Sequence, residues 1–314
     1  MIDKEYIIII NPISGTKGNI NISEKIHYYF SSNNILHKII YTKFKGEASI
    51  IAKKYLDKGH KIFIAVGGDG TVNEVAKALV NTDAKFGIIP KGSGNGLARH
   101  LKIPLQLNAA LENIKNLHVK AIDYGMINNN YFFCTSGVGF DAHIGNMFSN
   151  ASKRGFFTYF KTTIKEFLKY KAQTYKLSFN DKKISRKAFL ITIANASQYG
   201  NNAVIAPKAN ISDDVLNVVI LKPFNFFFAP IIGLRLFNNT IDKSKFIETF
   251  TCKEISIERE KPDIIHFDGE PLQEDKILNI KITHNALNII IPEKKIHHSS
   301  TSLNNSKKLY CLKT

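Results

Sequence analysis

Apolar residues follow two successive rhythms along this chain. Through residue 122, short unbroken apolar runs alternate with stretches whose apolar positions recur every three or four residues. The runs are Tyr6–Ile10, Leu36–Tyr41, Ile62–Val66 and Phe86–Ile89, and near-continuous runs of this length predict strands buried on both faces. Between them, Ile22, Ile26 and Tyr29/Phe30 keep helical spacing, as do Ala48, Ile51, Ala52, Tyr55 and Leu56, and then Val72, Val75, Ala76 and Leu79. Gly59 stops the second of these helices. The alternation predicts a parallel sheet covered on both faces, with ligands at the carboxyl ends of the strands.

From Val119 the rhythm shortens. Strands are expected at Tyr131–Thr135, Thr174–Phe179, Ala188–Ala194, Val215–Leu221, Ile255–Glu258, Ile264–Phe267, Leu278–Ile282 and Leu287–Ile291. Turn signals such as Asn180-Asp181 separate them, which predicts a mostly antiparallel β-sandwich or flattened barrel. A helix over Gly155–Lys171 interrupts it. The fold class is therefore α/β plus β. Residues 1–122 are expected to form an α/β domain, 123–293 a β-sandwich domain, and 294–314 a disordered polar tail, and the motifs below assign nucleotide binding to the first and the lipid acceptor to the second. The tail's His297-His298 pair is read as inert.

Two Gly-rich turns carry the candidate chemistry. Gly67-Gly68-Asp69-Gly70-Thr71 follows the third strand, and Pro90-Lys91-Gly92-Ser93-Gly94-Asn95-Gly96 follows the fourth. Glycines at these positions let backbone N–H groups crowd around an anion at a helix N-terminus. A tight strand-to-helix connection capped by Asp69 would account for one glycine and the acid, not for three glycines with Thr71. Asp69 does not attract a bare phosphate, so its expected task is to hold Mg²⁺ or a hydroxyl. No G-x-x-x-x-G-K-[ST] loop occurs.

Charge adds a partner class. Lys and Arg number 43 against 26 Asp and Glu, a formal +17 spread along the chain. Such an excess fits Lys-rich solvated faces or attraction to an anionic membrane surface. No zinc-finger spacing, RRM signature or basic-region heptad accompanies it, so no nucleic acid partner is expected. The three cysteines, Cys134, Cys252 and Cys311, are too scattered for a disulfide framework or zinc site. No secretory leader and no apolar stretch of spanning length is present, and the expected location is cytoplasmic with peripheral membrane contact.

The chain resembles the diacylglycerol kinase catalytic-domain superfamily, which includes bacterial lipid kinases, sphingosine kinases and ceramide kinases. The matching pieces are Asn11-Pro12-Ile13-Ser14-Gly15, Gly67–Thr71 with Asn73-Glu74, Pro90–Arg99, Asp213-Asp214 before Val215-Leu216, and Asp268-Gly269-Glu270. The GGDGT core is shared with NAD kinases and phosphofructokinases, whereas PKGSGNGLAR and the late DGE are more specific. The resemblance implies an ATP- and Mg²⁺-dependent lipid kinase acting on diacylglycerol or a related lipid. It implies that Glu270 accepts the acceptor's proton and that Asn11, Gly15, Thr42, Gly67–Thr71, Asn73, Ser93 and Asn95 contact the nucleotide. It further implies a structural Mg²⁺ held at Asn210, Asp213 and Val215, although Asp214 stands where glycine is usual. Taken without the resemblance, Asp268-Gly269 is an ordinary hairpin signal.

Three readings remain beside these. Gly137-Val138-Gly139 is expected to be a structural turn. Two apolar patches, Phe156, Phe157, Phe160, Ile164, Phe167 and Leu168, and Phe224–Phe228 with Ile231, Ile232 and Leu234, could seat an acyl chain or dock on a membrane, with core packing the commoner expectation. A NAD kinase-like nucleotide kinase and a non-catalytic nucleotide- or lipid-binding regulator are the alternative functions. The former lacks its Asn-x-x-Asn-x-Gly segment here. The acceptor lipid, the triphosphate and a homodimer are left open.

Overall fold

The four apolar runs become β1 (Tyr6–Ile10), β2 (His37–Tyr41), β3 (Ile62–Gly67) and β4 (Lys85–Pro90), all parallel and ordered β2-β1-β3-β4. In this computed structural model, residues 4–15, 21–149, 163 and 165–293 are described. Most of the helix expected over Gly155–Lys171, with its Phe156, Phe157, Phe160 and Ile164, lies outside them, as does the 294–314 tail. The strands connect through α1 (Ile22–Ser32), α2 (Glu47–Leu56), α3 (Asp69–Leu79), α4 (Gly96–His100) and α5 (Leu107–Asn116). Strand alternation distributes the isoleucines of β1 between two cores. Ile7 and Ile9 pack with Phe63, Ala65 and the α2–α3 residues Ala48, Ala52, Val75 and Leu79. Ile8 and Ile10 pack with Val66 against Ile26 and Phe30 of α1 and Ile114 of α5.

The second half builds the sandwich. Its elements are β5 (Val119–Ile127), β6 (Asn130–Phe132), β7 (Thr135–Gly139), α6 (Phe140–Ser149), β8 (Gln173–Phe179), β9 (Lys182–Ala188), β10 (Leu190–Ala194), β11 (Gln198–Gly200) and β12 (Ala203–Val204). They continue with β13 (Leu216–Leu221), α7 (Ala229–Phe237), β14 (Ile247–Cys252), β15 (Glu254–Glu258), β16 (Asp263–Phe267), β17 (Glu270–Glu274) and β18 (Ile277–Ile290). One antiparallel sheet runs β14-β13-β10-β7-β16-β17. Its inner face, including Val138, Ile191, Ile193, Val218 and Ile220, meets Tyr175, Leu177, Ile257, Leu278 and Ile280 of the opposing sheet. The architecture is the expected α/β plus β-sandwich arrangement.

Several local expectations are corrected. Leu278–Ile282 and Leu287–Ile291 belong to one strand, β18, with an irregularity between Thr283 and Leu287 where Asn285 takes φ +50°. That bulge imitates a turn in the sequence. β18 pairs antiparallel with β5 and β15, and parallel with β4 through Asn288 and Ile289, so the last strand completes the first sheet. Gly137–Gly139 is strand, not turn. A Cβ on Gly137 would lie 2.5 Å from the Ile191 carbonyl oxygen, so glycine there permits close strand approach. β9 and β14 were not anticipated. Both are edge strands, with one face polar and no continuous apolar run to mark them.

Asp123 of β5 ties the seam. Its Oδ1 accepts the Asn285 N–H at 2.8 Å and lies 2.8 Å from His284 Nδ1, and its Oδ2 accepts the Asp214 N–H at 2.9 Å. The fully buried carboxylate joins β5, the β18 bulge and the 210–215 loop. Asp123→Ala orphans two backbone donors and is expected to lower stability by about 3 kcal/mol. Urea unfolding would measure it, and a loss near zero would show that the carboxylate is not the tie described.

Candidate active site

Because β1–β4 are parallel, the segments after them emerge on one edge of the sheet. Asn11 Nδ2 donates to Thr71 Oγ1 at 3.1 Å and its Oδ1 accepts the Ile13 N–H, which pins the first loop to the third. Gly15 follows in left-handed backbone, φ +90°. Thr42 is buried, its N–H donating to the Ile10 carbonyl at 2.9 Å. Ser93 is exposed on the 90–95 loop, whose Lys91 N–H donates to the Gly67 carbonyl at 2.7 Å. Asn11, Thr42, Gly67–Thr71 and Ser93 are thus brought together as expected.

The glycines serve loop-on-loop packing. A Cβ on Gly92 would sit 2.6 Å from Gly68 Cα, and one on Gly94 would sit 2.7 Å from Asp69 Oδ2. Asn95 takes φ +50°, and its amide closes the loop by accepting the Gly92 N–H at 2.8 Å and donating to the Gly92 carbonyl at 2.7 Å. Asp69 accepts the N–H groups of Asn95, at 2.9 Å, and Gly96, at 2.7 Å. It therefore caps the start of α4 from across the sheet edge. Burial pushes its carboxyl pKa upward. The Gly96 N–H opposes this, and the nearby Asp268 carboxylate adds to it.

Across the cleft stands the β16–β17 hairpin. Asp268 and Gly269 form its turn at φ +48° and +83°. The Asp268 carboxylate accepts from the N–H groups of Phe133, Cys134 and Thr135 at 2.8, 2.8 and 3.1 Å and from Asn73 Nδ2 at 2.9 Å. Two residues on, Glu270 reaches the phosphate-type loop. Its Oε1 lies 3.1 Å from where a Cβ on Gly70 would stand, and its Oε2 is ion-paired with Lys45. A side chain at 70 would make the Glu270 carboxylate shift slightly, so glycine there eases the approach.

Some residues take roles that the sequence did not indicate. Asn73, expected at the nucleotide, is buried and donates to the Tyr131 carbonyl and Asp268, so it positions the hairpin. Glu74 accepts the Gly46 and Ala48 N–H groups and holds the loop that carries Lys45. Lys45 had no motif to mark it beyond its place after β2. Beneath the cleft, Asp141 Oδ2 accepts from Tyr199 Oη at 3.1 Å and lies 3.1 Å from His266 Nε2. Tyr199 lines the cleft together with Asp69, Thr135 and Asp268.

The residues around Asp69 fit a divalent cation. Asp69 retains lone pairs beyond its two N–H bonds and faces a second buried carboxylate, a charge arrangement that a cation relieves. Mg²⁺ is commonly held by one or two carboxylates together with substrate phosphates and water. In the 210–215 loop, Asp214 takes φ +60°, so the left-handed turn survives without glycine, and its carboxylate pairs with Lys253. Desolvation raises the Asp213 carboxyl, and Asp123 raises it further. Among the described residues, no three His, Cys, Asp or Glu side chains are grouped to hold a metal.

An α/β domain offering glycine loops to a carboxylate carried by a β-sandwich is the architecture of a two-domain kinase. The family description "Diacylglycerol kinase catalytic domain" matches residues 5–127, and "YegS C-terminal NAD kinase beta sandwich-like domain" matches residues 135–291. The chain belongs to this diacylglycerol kinase family with a YegS-type C-terminal domain. It is 29% identical over 252 residues to "Probable lipid kinase YegS-like" of Yersinia pseudotuberculosis, covering 77% of this chain and 83% of that one. It is 29% identical over 251 residues to the protein of the same name from Pseudomonas aeruginosa, covering 79% and 82%. A solved diacylglycerol kinase of Bacillus anthracis shares the fold, with TM-score 0.70 and 22% identity over 92% of this chain and 97% of that one.

His100, at the end of α4, ties the second glycine loop to the sandwich. Its Nδ1 accepts the Ser197 N–H at 3.1 Å, and burial followed by Lys120 lowers its pKa from 6.5 to about 4. The unfolded chain therefore binds a proton below about 6.5 that the native state refuses until about 4. Stability from this group is full above 6.5 and falls as pH drops toward 4. His100→Asn, which retains an acceptor, is expected to flatten that slope in pH-dependent thermal melts. An unchanged slope would refute the assignment.

Proposed function

We propose that this chain is an ATP-dependent lipid kinase that phosphorylates a hydroxyl of diacylglycerol or a chemically related lipid. The observation that carries this reading is Glu270, delivered by the sandwich to the open side of Gly70. Phosphoryl transfer asks little of a protein beyond positioning, charge stabilisation and a place for one proton. The Gly67–Thr71 and Gly92–Asn95 loops would hold the triphosphate near the N-terminus of α3, with Asn11 and Thr71 fixing the first and third loops together. Mg²⁺ bound by Asp69 would supply charge neutralisation at the phosphates.

The acceptor hydroxyl oxygen attacks the γ-phosphorus as the bond to the bridging β–γ oxygen breaks. ADP leaves with that oxygen, and the hydroxyl proton passes to Glu270. Lys45, paired with Glu270 and largely exposed, lies where it can turn toward the phosphates. The 210–215 loop, including Asn210, Asp213 and Val215, would hold a second, structural cation by its carbonyls. A lipid acceptor also requires contact with a membrane surface, consistent with the formal +17.

Glu270→Gln is expected to lower kcat by about 10²- to 10⁴-fold while leaving ATP affinity nearly unchanged. Asp69→Asn should weaken Mg²⁺–ATP binding as well as turnover. Both are checked by transfer of labelled γ-phosphate from ATP to diacylglycerol, monoacylglycerol, sphingosine and ceramide in mixed micelles. Full turnover by Glu270→Gln on every lipid would remove it as the base.

A further inference from the structure

Residues 222–240 contain no acid, and they present an apolar face to solvent. A single 3-10 turn at Phe226–Phe228 leads into α7, which carries proline in its first turn. Phe227, Ile231, Leu234 and Phe237 fall at helical spacing on one face and are 83%, 50%, 61% and 61% exposed. Phe226 and Phe228 widen the patch at its base. The expectation that this stretch packs into the core holds only for the opposite face. There Ile232 is buried among Ile144, Ile205, Leu221 and Ile241. The helix is thus anchored, and its apolar face is a fixed surface. Contiguous exposed patches of this kind mark sites of association.

We infer that the α7 face docks on an anionic lipid bilayer, laying Phe227, Ile231, Leu234 and Phe237 into the headgroup and upper acyl region. Charge selects this occupant. Lys245 Nζ lies 5.3 Å from the ring centroids of Phe228 and Phe246, which puts a cation at the patch border. Arg235 lies within α7 and Lys243 just beyond it. Asp242, beside Lys243, is paired with Lys208 Nζ at 3.6 Å, and an apolar helix face with basic borders and no acid over residues 222–240 is the pattern of an interfacial helix. A second copy would set the same basic border against itself. α7 also packs on β12, whose partner β11 brings Gly200 against Gly94 of the phosphate loop, where a Cβ on Gly200 would lie 2.9 Å from Gly94 Cα. The docking helix and the cleft therefore share one mechanical base. This inference rests on the lipid-kinase reading for its purpose, though not for its physics.

The test is sedimentation of the full chain with vesicles of phosphatidylcholine alone or of equal parts phosphatidylcholine and phosphatidylglycerol. Phe227→Ser/Leu234→Ser is the variant, because both side chains are exposed and their loss should leave the melting temperature unchanged. The wild type should bind the anionic vesicles preferentially, and the variant should lose roughly tenfold or more of that binding. Phosphorylation of a short-chain diacylglycerol in detergent micelles should be equal in the two proteins. Equal vesicle binding by the variant overturns the inference. So does a wild-type dimer, seen by light scattering, that the variant dissociates. Vesicle binding lost in the variant, with no lipid phosphorylated by either protein, would support the docking face and sink the kinase reading. Micelle activity with vesicle binding unaltered would do the reverse.

Discussion

The carboxylate of Asp268 is the contact through which the two halves of this protein make one site. It is partly buried at the cleft floor, and a charged group in that position persists only when its oxygens are satisfied. Four donors do so, three from the backbone between β6 and β7 and one from Asn73 on α3. The same side chain therefore fixes a sandwich hairpin to a sandwich corner and to a helix of the nucleotide-type domain. Glu270 lies two residues farther on the hairpin, so its place above Gly70 follows from where Asp268 is held. The motif reads as one functional unit with two tasks. The aspartate positions, and the glutamate faces the cleft.

Around that anchor, the constraints are mostly steric. Gly68 against Gly92 and Gly94 against Asp69 leave no room for a Cβ, so the two glycine loops are set by each other as well as by any ligand. Asp69 links them electrostatically by capping α4 from the start of α3. The final strand closes the arrangement from behind. β18 joins β4 in the first sheet and β5 and β15 in the second half, which ties the sheet edge bearing the loops to the sandwich. A rigid frame of this sort suits chemistry that depends on orientation more than on covalent participation.

Much of this was legible in the chain, for identifiable reasons. The strands of the α/β half are apolar on both faces, so Tyr6–Ile10 and Ile62–Val66 announce themselves without alignment. The loops announced themselves through glycine. What escaped was long-range or polar. Nothing local distinguishes Lys45 from other exposed lysines, because its partner Glu270 is remote in sequence. β9 and β14, at sheet edges, lack the apolar run that marked central strands. The break inside β18 reads as a turn because His284-Asn285 satisfies turn chemistry, while the residue that stabilises the bulge is the distant Asp123. Asn73 looked like a ligand contact since it sits in the motif, yet its amide points into protein. Motif membership brought these residues to one sheet edge without revealing which of them face the cleft.

Charge layout explains why the site calls for a cation. The chain is strongly basic overall, yet at the floor of its cleft the Asp268 carboxylate lies close enough to Asp69 to push that acid's pKa upward, after burial. The Cys134 thiol between them is pushed well up, by burial first and then by these two acids. A triphosphate approaching such a floor meets repulsion that glycine N–H groups alone only partly offset. Lys45 on the neighbouring loop cannot fully compensate while it pairs with Glu270. In the proposed reaction Asp69 would hold a divalent ion, which would offset this repulsion. Lys45 could then exchange Glu270 for phosphate oxygen, which would free the carboxylate to take a proton. Under the proposed function, the negative floor would need a cation to admit a nucleotide, and the basic exterior would favour an anionic lipid surface.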